Sequence, residues 1–204
     1  MYSTGEITMG KDLFDQIVKK TDCIIYGWEN QHMGYAPTIA SQKLSHFNFG
    51  RMPEMTRELG VLFDEANYDI AEDMTEARRV IAYIVLGGLI EGWLRLFFCI
   101  YASDYNENMF SKVDKKGDIF FVKLDKLKFS DMISYISNNI WDKPTDVGLI
   151  NWLGKIRKYR NTAHIYNMDK VGDSAEFVRD VIVYLDFFNK IIGYFPELPS
   201  NIVV

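Results

Sequence analysis

The chain has 204 residues with a formal net charge of −5, and 48% of its residues are apolar and 15% aromatic. This composition excludes an intrinsically disordered protein, and the length predicts one globular domain, alone or with an extension. Cys23 and Cys99 are too few for a disulfide framework and the three histidines are far apart, so we expect reduced thiols in the cytoplasm and no metal or other cofactor.

Residues 1–74 are predicted to form an extension with two helices that pack on the rest of the chain. The first helix is predicted over 11–20, where apolar residues recur at helical spacing: Leu13, Phe14, Ile17 and Val18. Residues 21–49 mix glycine, proline and aromatic residues without a sustained period, which indicates an irregular arm with one short strand at 23–28. The second helix is predicted over 53–73. No basic region followed by an apolar run opens the chain, so no signal peptide is predicted.

Residues 75–101 are the most hydrophobic segment and are nearly long enough to span a bilayer. Glu91 and Arg95 argue against a membrane, because each charge near its centre would cost about 2.5–3.5 kcal/mol. We therefore predict a central buried helix, whose glycines let neighbouring helices approach closely: Gly87, Gly88 and Gly92. Two roles are open for Glu91. It pairs with Arg95 one turn later, or it holds an arginine of the motif described below.

The segment from 101 to 128 reads as a loop with a short β-hairpin around 118–124, which would suit a substrate-facing flap. Positive charge gathers here, because residues 112–160 hold eleven Lys or Arg against six Asp or Glu, a local charge of +5. Phe120, Phe121 and Phe129 are interleaved with the lysines of residues 112–128, a composition compatible with binding a phosphate backbone and stacking bases. The alternative is a solvated lysine face above core phenylalanines. The basic domain typical of a duplex-DNA binder is not indicated.

Three more helices complete the pattern. One covers 129–140, and the next begins with Thr145 or Asp146 as its N-cap. The last is predicted to be capped by Asp173 or Ser174 and to run to about residue 194, with a strongly apolar face. Together with the central helix they predict an all-α, antiparallel helix bundle over 75–204.

The most informative segment is the end of the helix that begins near residue 145, where four polar residues share one face. At i, i+3, i+4 and i+7 stand Arg157, Arg160, Asn161 and His164. Guanidinium groups suit phosphate oxygens, and an imidazole that titrates near neutral pH can move a proton beside them. The pattern therefore predicts a phosphodiester site. The alternative is that the arginines are solvent-exposed and only stabilise the C-terminus of the helix, where the macrodipole favours positive charge.

Further residues are predicted to support this site. Lys155 and Lys158 flank the motif and add positive charge for binding RNA. Tyr166 supplies a hydroxyl group two residues beyond His164. Asn161 is suited to orient the histidine ring or a ribose hydroxyl.

These residues resemble the motif of the HEPN superfamily (higher eukaryotes and prokaryotes nucleotide-binding), in which four to six residues separate a histidine from an earlier arginine that is usually followed by Asn, Asp or His. Arg160-Asn161 matches the dipeptide, but His164 follows after three residues. Arg157 has the family's spacing to His164 but is followed by Lys158. The match is therefore divided between two arginines.

The ending His164-Ile165-Tyr166 is similar to the His-x-Tyr form of HEPN toxins, whose nucleotidyltransferase antitoxins modify that tyrosine. The resemblance covers residues 75–195. It implies a helical, metal-independent endoribonuclease of toxin or phage-defence type that acts on RNA. It also implies an antitoxin as a second partner and a homodimer, in which Gly154 would suit the close approach of the partner helix.

In the activity that the resemblance implies, His164 acts as general base or acid for attack of a ribose 2′-hydroxyl on the adjacent phosphate. Arg160, helped by Arg157, stabilises the phosphorane, and Asn161 orients the reacting groups. The products are a 2′,3′-cyclic phosphate and a 5′-hydroxyl. Two other classes stay open: a non-catalytic HEPN-like module that binds RNA, a nucleotide or a partner protein, and a helical interaction protein whose basic helix end is only solvated.

Overall fold

Seven α-helices make up most of the described chain in the computed structural model, which describes residues 4–35, 38–68, 74–102, 111–113, 119–121, 124–163 and 170–197. They are α1 (Thr4–Tyr35), α2 (Thr38–Leu44), α3 (Met52–Tyr68), α4 (Glu76–Ile100), α5 (Phe129–Asn139), α6 (Lys143–Arg160) and α7 (Ser174–Ile192). Short 3₁₀ turns occur at Phe49–Arg51, Leu124–Lys126 and Asn161–Ala163. The predicted all-α class is confirmed, and an HEPN-like arrangement of the bundle stays a prediction.

The N-terminal part differs from the prediction. A helix over 11–20, then an irregular arm with a strand at 23–28, was expected from the pattern, and this is wrong because one 32-residue helix, α1, runs through the region. The buried face of α1 continues past residue 20 through Thr21, Ile25 and Trp28. Thr21 is polar, so the hydrophobic period breaks there although the helical spacing of buried positions persists.

α4 lies at the centre of the bundle and packs against α2, α3, α5, α6 and α7. The Thr75 hydroxyl caps its first turn by accepting a hydrogen bond from the backbone N–H of Arg78. By length and composition alone α4 could cross a membrane. In the protein, 56% of its apolar window is buried, as expected of a core helix.

Glycines of α4 allow α3 to approach closely, as the sequence predicts. A Cβ atom at Gly88 would lie 2.7 Å from Cε of Met55, and one at Gly92 would lie 3.0 Å from Sδ of Met52. Both distances are shorter than van der Waals contact. The two methionines of α3 therefore occupy the space that side chains at these positions would need.

One hydrophobic core joins the N-terminal helices with the later ones. Phe14 of α1, Leu62 of α3, Trp93 of α4 and Phe188 of α7 all belong to it. α3 contacts both α4 and α7. The division into an extension over 1–74 and a bundle over 75–204 stays a prediction.

α6 begins earlier than predicted. Its first residue is Lys143 and its N-cap is Asp142, whereas Thr145 or Asp146 was expected to cap it. Pro144 therefore lies in the first turn, where its missing N–H costs no hydrogen bond. α7 begins as predicted, with the Asp173 carboxylate accepting from the backbone N–H of Glu176 at 2.7 Å.

Two short strands lie between α4 and α5. β1 (Ser111–Val113) and β2 (Ile119–Phe121) pair antiparallel, with Ser111 opposite Phe121. Only β2 falls in the range 118–124 where the hairpin was expected. The role of this segment as a substrate-facing flap stays a prediction.

Candidate functional site

Arg160, the last residue of α6, lies directly against α4. A Cβ atom at Gly87 would be 2.8 Å from Cδ and 2.9 Å from Cβ of Arg160, so only glycine fits beneath this side chain. The guanidinium carbon of Arg160 lies 5.7 Å from the ring centroid of Phe129, at the start of α5. This distance is within the range of a cation–π interaction. Arg160 therefore joins the C-terminal end of α6 to the middle of α4 and to the start of α5.

Glu91 of α4 holds Arg160 and Arg95 together. Its Oε2 atom is 2.5 Å from Nη1 of Arg160, and its Oε1 atom is 3.0 Å from Nη2 of Arg95. Glu91 thus fills both of the roles that the sequence leaves open. We call these three residues the arginine–glutamate cluster. Two guanidiniums and one carboxylate give it a net charge of +1.

Arg95 is the best-anchored member of this cluster. It donates from Nη1 to the carbonyl of Leu124 at 3.3 Å and from Nη2 to the carbonyl of Leu127 at 3.0 Å. Its guanidinium carbon lies 5.0 Å from the ring centroid of Phe47. The side chain is 14% exposed, compared with 33% for Arg160. Arg95 is therefore fixed from several sides and largely withdrawn from solvent.

The other described motif residues are at the surface. Arg157, Lys158 and Asn161 are all exposed, and the backbone N–H of Asn161 caps the C-terminus of α6. Arg157 and Arg160 are three residues apart and therefore lie about 60° apart around the helix. The end of α6 thus combines one anchored arginine with an exposed one, beside carbonyl groups that favour positive charge.

Gly154, one turn before Arg157, lies outside the buried face of α6. The buried face itself consists of Trp152, Leu153 and Ile156. Among the described residues, no neighbouring atom lies within 4 Å of a Cβ placed at Gly154, so this glycine faces open space. The close approach of a partner helix at Gly154 stays a prediction.

Lys155 is not brought together with Arg160. The two residues lie about 140° apart around α6, and Lys155 turns toward α7. Its Nζ atom forms an ion pair with the Asp180 carboxylate and lies 3.2 Å from Oε1 of Glu176. Lys155 therefore connects α6 to α7. An RNA phosphate that bound Lys155, as the sequence predicts, would have to compete with these two carboxylates for the ammonium group.

A buried polar network surrounds Asp180, whose side chain is only 3% exposed. The Tyr83 hydroxyl donates to its Oδ2 atom at 2.8 Å, and Nε1 of Trp152 donates to its Oδ1 atom at 3.1 Å. Lys155 is the third donor. The carboxylate is therefore paired and hydrogen-bonded, as a buried charge must be. We call these four residues the Asp180 network.

The sequence reasoning missed this network, although α7 carries a signal for it. Asp180 occupies the same helical face as Phe177, Val181 and Tyr184, all of which are buried. A carboxylate on the apolar face of an amphipathic helix indicates a buried partner. The pattern does not identify which residues on other helices supply the donors.

Burial raises the pKa of the Tyr83 hydroxyl well above its ordinary value near 10, and the Asp180 charge raises it further. Burial likewise raises the pKa values of Tyr159 and Tyr184. Tyr83 and Tyr184 ionise near pH 10 only when the chain unfolds, so their stabilising contribution is complete below pH 10 and declines above it. We expect each of these two to lower the free energy of unfolding by up to about 1.4 kcal/mol per pH unit.

Urea unfolding between pH 8 and pH 11.5 measures this decline. Tyr83→Phe is expected to make the slope above pH 10 shallower, even though the variant is less stable overall. A free energy of unfolding that stays constant from pH 10 to pH 11.5 would contradict the expectation.

His164 and Tyr166 lie at 164–169, outside the described residues. Within the ranges that the structure describes, no group of three or more His, Cys, Asp or Glu side chains could hold a metal ion. Comparisons of the chain with protein-family models, with curated proteins and with solved structures found no match. The HEPN resemblance therefore depends on the motif residues of the sequence.

Proposed function

We propose that the chain is a metal-independent endoribonuclease of HEPN type, with its active site at the C-terminal end of α6. The observation that carries the proposal is the anchoring of Arg160 by Glu91 and Gly87. A guanidinium has five N–H donors, and Glu91 engages it through a single contact at Nη1. The remaining donors suit the oxygens of a phosphate.

In the proposed reaction, His164 takes the proton of a ribose 2′-hydroxyl, and the 2′-oxygen attacks the adjacent phosphorus atom. The bond from phosphorus to the 5′-oxygen breaks, and that oxygen takes a proton from water and leaves as a hydroxyl, while the proton held by His164 passes to the solvent. Arg160 and the exposed Arg157 stabilise the negative charge on the phosphorane. Asn161 orients the reacting groups. The products are a 2′,3′-cyclic phosphate and a 5′-hydroxyl.

The partners in this proposal are RNA, a second copy of the chain and an antitoxin of the nucleotidyltransferase type, in the cytoplasm. An outward stripe on α6 supports the second copy. Val147 is 54% exposed, and Gly154 faces open space one helical turn before Arg157. A second α6 packed there would bring two sets of motif residues close together.

The test is incubation of labelled tRNA and mRNA with purified protein in EDTA, followed by analysis of the fragment ends. We expect cleavage that leaves a cyclic phosphate and that is lost in Arg160→Ala and His164→Ala, because the variants remove the charge stabiliser and the proton carrier. Arg179→Ala is the matched control, since Arg179 is an exposed arginine on α7. RNA that stays intact with wild-type protein, or equal cleavage by all variants, would contradict the proposal.

A second candidate is a non-catalytic module that binds RNA, a nucleotide or a partner protein. The contacts of Arg160 with Glu91 and Phe129 support it, because they would equally serve only to attach α6 to its neighbours. The short spacing from Arg160 to His164 supports it as well. In that case RNA binds without cleavage, and His164→Ala leaves the affinity nearly unchanged.

A further inference from the structure

We propose that Arg95 is a positioning residue for Arg160, and that it acts through Glu91 to fix the orientation of that guanidinium and to keep the cluster positively charged. The inference rests on the proposed function, because it assigns Arg160 a phosphate to bind. Arg95 does not touch the phosphate itself in this scheme. It sets the charge and the geometry of the residue that does.

Arg95 keeps the arginine–glutamate cluster positively charged. If Glu91 paired with Arg160 alone, the pair would be neutral, and a neutral pair attracts a phosphate poorly. Glu91 instead places one carboxylate oxygen against each arginine, Oε1 on Arg95 and Oε2 on Arg160. The cluster therefore keeps a net charge of +1, and Arg160 is the more exposed of its two guanidiniums.

Arg95 is itself anchored to the backbone. Its guanidinium donates to the backbone carbonyls of Leu124 and Leu127, which precede α5. Backbone acceptors move less readily than side chains, so Arg95 is a rigid support for the Glu91 carboxylate. Glu91 in turn limits the rotation of the long Arg160 side chain. The orientation of Arg160 thus depends on the 3₁₀ turn Leu124–Lys126 as well as on α4.

Exposure divides the roles. The Arg95 side chain is 14% exposed and already has two carbonyls, a carboxylate and an aromatic ring as partners. The Arg160 side chain is 33% exposed and lies at the helix end that carries Arg157 and Asn161. A phosphate can therefore reach Arg160, whereas Arg95 has few donors left to offer.

The two supporting residues are expected to give opposite effects on RNA binding. Glu91→Gln removes a negative charge, so the dissociation constant for a short RNA at low salt should fall by about three- to tenfold, while the loss of orientation slows cleavage. Arg95→Gln lets Glu91 neutralise Arg160, so the dissociation constant should rise by about three- to tenfold while cleavage also slows. Arg95→Lys keeps the charge and should restore the affinity but only part of the rate. If the two residues merely stabilised the fold, Glu91→Gln would weaken RNA binding as Arg95→Gln does, and Arg95→Lys would not separate the affinity from the rate.

A second measurement reads the position of Arg160 without reference to cleavage. In ¹⁵N-labelled protein, the side-chain Nε–Hε signal of Arg160, assigned with Arg160→Lys, is expected to be shifted from that of free arginine. It should move toward the free value in Glu91→Gln, which removes the ion pair, and it should also change in Arg95→Gln, where Glu91 is held by Arg160 alone. The signal of the exposed Arg179 is the internal control and should stay in place in every variant.

The outcomes separate the inference from the proposed function. Cleavage by the wild type that needs Arg160 but is equal in Arg95→Gln and Glu91→Gln, with unchanged RNA affinity, would overturn the inference alone. Absence of cleavage in the wild type would overturn the proposed function, and the Arg160 signal would still decide whether Arg95 positions it. If Arg95→Gln fails to fold, Glu91→Gln and Arg95→Lys decide the question. The inference would then be contradicted if both variants weakened RNA binding and slowed cleavage to the same extent.

Discussion

Replacing Asp180 with alanine is expected to lower the free energy of unfolding by about 3–5 kcal/mol, which is the usual cost of breaking a buried ion pair. The carboxylate accepts hydrogen bonds from Tyr83, Trp152 and Lys155. Alanine would leave the buried side chains of Tyr83 and Trp152 without their acceptor, whereas Lys155 would keep its contact with Glu176. The Lys155 ammonium is one-third exposed and can recover some hydration, so the tyrosine and tryptophan donors carry most of the loss.

Urea unfolding at neutral pH measures this loss. The matched control is Asp186→Ala, because Asp186 is an exposed carboxylate on the same helix, and its change should stay within about 0.5 kcal/mol. A loss below 1 kcal/mol in Asp180→Ala would show that the three donors find other partners. The Asp180 network would then contribute little to the packing of α4, α6 and α7.

Replacing Gly87 with alanine is expected to slow the proposed RNA cleavage by up to about a hundredfold, the effect of a displacement near 1 Å in an active site. The new methyl group would meet Cδ of Arg160 at 2.8 Å and Cβ at 2.9 Å. The Cβ atom cannot rotate away because the backbone of α6 fixes it. The end of α6 must therefore shift, and the contact between Arg160 and Glu91 lengthens.

Stability should change much less than cleavage in this variant. Overpacking costs about 1–3 kcal/mol, and the better helix propensity of alanine offsets about 1 kcal/mol of it. Gly148→Ala is the control, because the described structure leaves open space around Gly148 in α6. Its cleavage rate should equal that of the wild type. A wild-type rate in Gly87→Ala would show that the close packing of Arg160 on α4 is dispensable.

The sequence predicts the helices with a strong hydrophobic period and a clear cap. α4 lies within the predicted range 75–101, and α7 begins after Asp173, one of its two expected caps, because both segments have long apolar faces. α1 is missed beyond residue 20, since Thr21 takes a buried position that the period assigns to an apolar residue. Local pattern alone cannot reveal that packing against α3 favours the helix there.

The candidate site is predicted only as far as one helix can show it. Spacing places Arg157 and Arg160 on neighbouring positions of α6, and it places Glu91 one turn before Arg95 on α4. It does not show that Glu91 reaches Arg160 across the two helices, or that Lys155 turns to α7, because such contacts depend on how the helices pack. The roles of these residues in RNA cleavage stay predictions.

The Asp180 network also fixes how far each helix is shifted along its axis relative to its neighbours. Apolar faces repeat with every turn, so a helix that slid along its neighbour by one turn, about 5.4 Å, would still bury similar side chains. Asp180 removes that freedom, because Trp152 and Lys155 reach its Oδ1 atom from α6 and Tyr83 reaches Oδ2 from α4. A shift by one turn would leave the buried Asp180 carboxylate without its hydrogen-bond donors. We infer that one carboxylate selects the longitudinal register of three helices, and so sets where the last turn of α6 meets Glu91.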